Sequence, residues 1–74
     1  GNRSVGVNVT VASGSSELTV SGLGRPSSEY VVNVQPSWNT TTWIHDKTPD
    51  SFIMSFGASA PPSATADWFL IEKK

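Results

Sequence analysis

Cysteine is absent from this 74-residue chain, and there is one histidine. Disulfides and thiolate metal sites are therefore excluded, and a multi-histidine zinc site cannot be built. No metal and no cofactor is expected. Charge is scarce as well: 15% of residues, with Lys+Arg 5 against Asp+Glu 6. No basic stripe exists to neutralise phosphates, so nucleic acid is not an expected partner. The longest apolar run is WFLI, Trp68 to Ile71, far short of the ~20 residues that span a bilayer. Membrane insertion is not expected. Neither a signal-peptide pattern nor an initiator Met opens the chain, which reads as one domain, 1–74, excised from something longer.

Shortness raises a stability problem. Below roughly 70–80 residues an apolar core rarely supplies more than about 3–5 kcal/mol, and such chains add disulfides, a metal or partner subunits. Only the last remains here, unless the core is very efficient.

Helix signals are almost missing, and what is present alternates with period two between turn formers. In SVGVNVTV the valines Val5, Val7, Val9 and Val11 share one face, expected to point inward, with Gly6, Asn8 and Thr10 opposite. ELTVSGL continues with Leu18, Val20 and Leu23 inward. EYVVNVQP sets Tyr30, Val32 and Val34 on one side and is closed by Pro36. In TTWIHD, Trp43 and His45 share a face against Ile44 and Asp46; in SFIMSFG, Phe52, Met54 and Phe56 share one against Ile53. Phe52, Met54, Phe56 and Trp43 are the expected core of this half. The chain closes with ADWFLIEK, so the pattern predicts a six-stranded antiparallel β-sandwich.

The last strand is apolar on both faces, Trp68 and Leu70 one way, Phe69 and Ile71 the other. A strand apolar on both sides needs cover on both, and in a two-layer domain the second cover comes most economically from another copy. Ile44, Ile53, Phe69 and Ile71 are the residues expected at that contact.

No catalytic residues are expected. His45 and Asp46 are adjacent, and neighbours in a regular strand point to opposite faces, so Asp46 is not expected to orient His45. No G-x-S-x-G elbow occurs. The acids are scattered, without the paired carboxylates of a glycosidase, and DKTPD lacks the alternating ligands and bidentate Glu of a calcium loop. Asp50 is explained by turn chemistry. The better signal is an aromatic residue beside polar turns. Trp38, in PSWNTT, offers an indole for stacking on a sugar ring, with Asn39, His45, Asp46 and Lys47 as hydrogen-bonding neighbours. The alternative role for Trp38 is packing over the mouth of the sandwich.

Taken together, SGSSELTV, YVVNVQPSWNTT, TWIHDKTPDSFIMSFG and ADWFLIEK resemble the small domain at the ends of phage tail fibres and in other virion proteins. The layout is similar to the H-type lectin fold. The strand ending VNVQP, the Thr-x-x-x-Phe of KTPDSF and the Asp-Trp of the last strand carry the likeness, which covers residues 4 to 72. The resemblance implies a homotrimeric β-sandwich on a virion or extracellular surface. It would fix a fibre's end and bind a cell-surface glycan. It assigns no sugar-binding residue to this chain. The other readings are a carbohydrate-binding module of a secreted enzyme and a purely structural trimerisation or capping domain.

Overall fold

The computed structural model describes residues 2–73; the two ends of the expected domain, Gly1 and Lys74, lie outside the described residues. Six strands follow in order: β1 (Val5–Thr10), β2 (Glu17–Val20), β3 (Tyr30–Pro36), β4 (Thr42–His45), β5 (Phe52–Phe56) and β6 (Thr65–Glu72). They form two antiparallel three-stranded sheets, β1-β6-β3 and β2-β5-β4. The described residues contain no helix. The architecture is all-β and sandwich-like, as the alternation predicts.

Between the sheets lie Trp68, Tyr30, Phe52, Leu23 and Met54, all essentially inaccessible to water. Trp68 meets Phe52 edge to face at 5.2 Å, an arrangement that suits the aromatic quadrupole. The register explains which faces turn inward. Val34, Trp68 and Gly6 form one cross-strand row of the first sheet, and Leu18, Met54 and Ile44 one row of the second.

Polar turns tie the sheets at one end. The Asp50 carboxylate accepts from the backbone N–H of Gly22 and Gly24, each at 3.3 Å. Leu23 N–H donates to the Asp50 carbonyl at 3.0 Å. The Thr48 hydroxyl accepts from the N–H of Asp50 and Ser51 at 3.2 and 2.9 Å. The turn therefore satisfies its own backbone and clamps the loop after β2.

Tyr30 occupies the same end. Its hydroxyl lies 2.8 Å from the Thr48 carbonyl and 2.9 Å from that of Ser51. Burial raises its pKa above the ordinary 10.0. Below about pH 10 the phenol is neutral in both folded and unfolded chains, and its full contribution is present. As pH rises further the unfolded chain ionises first, so stability falls until the folded phenol also ionises. The urea midpoint should drop above about pH 10 in the wild type and drop less in Tyr30→Phe.

Two orientations differ from the alternation. Val5 and Val7 point to solvent, not inward. Gly6 pairs with Trp68 and Val9 with Ala66, so Val7 and Asn8 together oppose Asp67. This is a β-bulge, with Asn8 at φ 54, and one extra residue reverses the facing of everything before it. Asn8 N–H donates to the Asp67 carboxylate, which holds the bulge. Trp43, expected in the core, is 55% exposed. Its partner across the ladder is Ser55, whereas Ile44 opposes Met54. Ile44, placed outside by the pattern, packs against the core instead.

Candidate functional site

Two surfaces stand out, one on the outside of each sheet. On β1-β6-β3 the outward positions are Val5 and Val7 from β1, Phe69 and Ile71 from β6, and Val31 from β3. All five are between 45% and 68% exposed. Register makes them neighbours: Val5 opposes Phe69, and Val31 opposes Ile71. Asn33, Gln35 and Asp67 border them on the same face. Between β1 and β3 this face is hollowed into a cavity of about 210 Å³, walled by Val5, Val7 and Phe69 and rimmed by Asn33, Gln35 and Asp67. Scattered exposed apolar residues need no explanation, whereas these five stand together on one face.

Of the four expected contact residues, Phe69 and Ile71 lie on this face. Ile44 points into the core, and Ile53 lies on the outer face of the other sheet beside His45 and Thr19. No flat contact takes in all four. Val5, Val7 and Val31 join the surface in their place, and alternation hid the first two because the bulge is invisible to it.

The outer face of β2-β5-β4 carries polar residues around one indole. Trp43 stacks on His45 with ring centroids 6.2 Å apart and planes 29° from parallel. His45 is held at both nitrogens: Nε2 lies 2.7 Å from Ser55 Oγ and Nδ1 lies 2.9 Å from Asp46 Oδ2. A carboxylate only accepts, so a neutral ring carries its proton on Nδ1 and receives the Ser55 hydroxyl at Nε2. The expectation that Asp46 does not orient His45 fails. β4 ends at His45, and Asp46 takes φ 54, a left-handed turn that Asp tolerates and that swings its side chain back beside the ring.

Ser55, His45 and Asp46 thus stand in the order of a hydrolytic triad. What surrounds them is not an oxyanion site. Ser55 lies on the central strand, paired with Glu17 on one side and Trp43 on the other. Backbone N–H groups of a sheet lie in its plane and serve the ladder, whereas a reacting carbonyl above Ser55 Oγ would need donors aimed out of the face. Ser55 is also buried. The chain of hydrogen bonds fixes a ring; it does not expose a nucleophile.

The five expected sugar-contacting residues divide between opposite ends of β4. Trp38 and Asn39 precede it, at the Phe56 end of β5; His45, Asp46 and Lys47 follow at the Ile53 end. Trp38 is half-buried, packs on Phe56 at 4.7 Å and donates its Nε1–H to the Ala58 carbonyl at 3.1 Å. Asn39 is exposed. Lys47 turns away to the first sheet, where Nζ donates to the Tyr30 carbonyl at 2.6 Å and sits 5.4 Å from that ring's centroid. Trp38→Ala should therefore lower stability by about 2–4 kcal/mol, below the about 3–5 of a fully buried aromatic. A thermal melt matching the wild type would show that the lid contributes nothing. Among the described residues no group of three or more His, Cys, Asp or Glu stands where it could hold a metal ion.

No protein-family model, no curated protein and no solved structure matches this chain.

Proposed function

We propose that this chain is a self-assembling terminal domain of a phage tail fibre or comparable virion or extracellular fibre. Copies meet through the outer face of β1-β6-β3, and the assembly attaches to a cell-surface glycan by binding, not turnover. The observation that carries the reading is the cluster of five large apolar side chains on that one face. Covering five half-exposed side chains contributes on the order of 1 kcal/mol each, comparable in sum to the whole core of so short a chain. Three is the copy number that the tail-fibre resemblance implies.

Sedimentation equilibrium tests this reading. A mass three times 7.9 kDa that persists at micromolar concentration is the expected result. A compact monomer would reject assembly and leave the carbohydrate-binding module of a secreted enzyme, the reading that the exposed Trp43 favours. An assembly that binds no glycan would be a structural capping domain.

A further inference from the structure

We infer that the outer face of β2-β5-β4 is a platform for neutral pyranose sugars, with Trp43 as the residue on which the sugar ring stacks. This rests on the glycan-binding half of the reading above and is independent of the assembly half.

A single exposed indole is not informative by itself. Here it is pre-set. Trp43 stacks on His45, and His45 is fixed by Ser55 at 2.7 Å and Asp46 at 2.9 Å. Every torsion that could carry the imidazole away breaks a hydrogen bond. The imidazole that backs the indole is therefore already ordered in folding, which lowers what a ligand stacked on Trp43 must order. The flat face of an indole complements the C–H face of a pyranose, and its neighbours must then serve the hydroxyls.

Those neighbours are acceptors. Glu17 opposes Ser55 on the far side from Trp43, about 10 Å from it at two strand spacings, a gap that one hexose ring bridges. Asp46 closes the end of the strand, with its side chain 73% exposed. Both carboxylates accept hydroxyl protons. Lys47, next in the chain after Asp46, is committed to the Tyr30 carbonyl. With two carboxylates flanking the stacking surface and Lys47 turned away from it, a sialylated or sulfated sugar is repelled. A neutral one is not. The inference thus sets a ligand class as well as a place, and repetition of the platform on each copy raises a weak single-site affinity through avidity.

The test follows the three indole N–H signals of the ¹⁵N-labelled chain by NMR during titration with lactose, maltotriose and mannotriose, and in parallel with 3′-sialyllactose. The expected result is that the Trp43 signal moves with at least one neutral sugar while Trp38 and Trp68 stay in place, and that sialyllactose shifts it at least tenfold less. Trp43→Ala should abolish binding with sedimentation mass unchanged, and Trp43→Phe should weaken it. Glu17→Gln combined with Asp46→Asn should let sialyllactose bind as well as lactose. If no sugar moves Trp43, or binding survives its removal, the platform is wrong. A wild-type chain that assembles but moves Trp43 with no sugar rejects the platform alone; a wild-type monomer that binds through Trp43 rejects the assembly alone.

Discussion

If copies meet through the outer face of β1-β6-β3 as proposed, Phe69→Asp is expected to leave folded monomers. Phe69 lies midway along β6, opposed by Val5 on one side and Asn33 on the other, and its side chain points away from the core. Replacing it removes nothing from the packing around Trp68, so circular dichroism and the monomer's compactness should be unchanged. In the assembled state the new carboxylate would be buried against a neighbouring copy, two residues from Asp67 on the same face. An unpaired charge taken out of water costs several kcal/mol at least, more than the covering of Phe69 contributes. Each copy carries the same defect, so the penalty repeats around the assembly. Dissociation should be complete at micromolar concentration by sedimentation. Ile53→Asp is the control: Ile53 faces outward from the opposite sheet, and its mutant should keep the parent mass. If Phe69→Asp remains assembled while Ile53→Asp falls apart, the contact lies on the other sheet.

Gly6→Ala is expected to be the most damaging one-carbon change in the molecule. A Cβ built on Gly6 would overlap Trp68 Nε1 and stand within 2.8 Å of two further ring atoms. The indole has little freedom to yield. It is 2% exposed, with Phe52 edge-on at 5.2 Å and the Arg3 guanidinium 5.5 Å from its centroid. Overpacking of this kind costs typically about 1–3 kcal/mol, and a core of this size holds only about 3–5. A large drop in melting temperature should follow, with a visible unfolded fraction at room temperature. Trp68→Phe, with a smaller ring, should recover part of the loss when combined with Gly6→Ala, giving a coupling energy of opposite sign to the single effects. A Gly6→Ala protein melting at the wild-type temperature would refute the contact.

Much of the architecture could be read from the residues because it rests on short-range pattern. β2, β3, β5 and β6 alternate without interruption, and their inward sets (Leu18 and Val20; Tyr30, Val32 and Val34; Phe52, Met54 and Phe56; Trp68 and Leu70) turn inward in the structure. The two-faced apolar character of β6 was equally plain, since Phe69 and Ile71 are both large and both off the core side. β1 misled for a definable reason. The valines from Val5 to Val11 keep perfect period two, yet Asn8 in a left-handed conformation inserts an extra residue, and strand periodicity does not register a bulge. Asn in the middle of a strand, a residue that tolerates the left-handed region, was the available hint. β4 misled differently. Trp43 and Ile44 are adjacent and both apolar, so the pattern allows either phase, and only pairing with β5 chooses Ile44 for the core.

The candidate site was legible in its residue types and not in its grouping. His45 and Asp46 drew attention as neighbours, but the strand's end falls between them, and that boundary is what lets Asp46 fold back. Ser55, ten residues away in sequence, reaches His45 only through the β4–β5 register. Trp38 takes the packing role that the sequence had left open, over Phe56, and the strand indole Trp43, expected in the core, lies outside.

Composition and alternation, which act within a few residues, determined that this chain is all-β, lacks metal-binding cysteines, carries six strands and ends in one that is apolar on two faces. Which indole meets solvent, which valines turn outward and which side chains clasp the histidine were settled by register, a bulge and a left-handed turn. Those depend on partners distant in the chain, as where Gly6, lacking a side chain, leaves the space that the Trp68 ring fills.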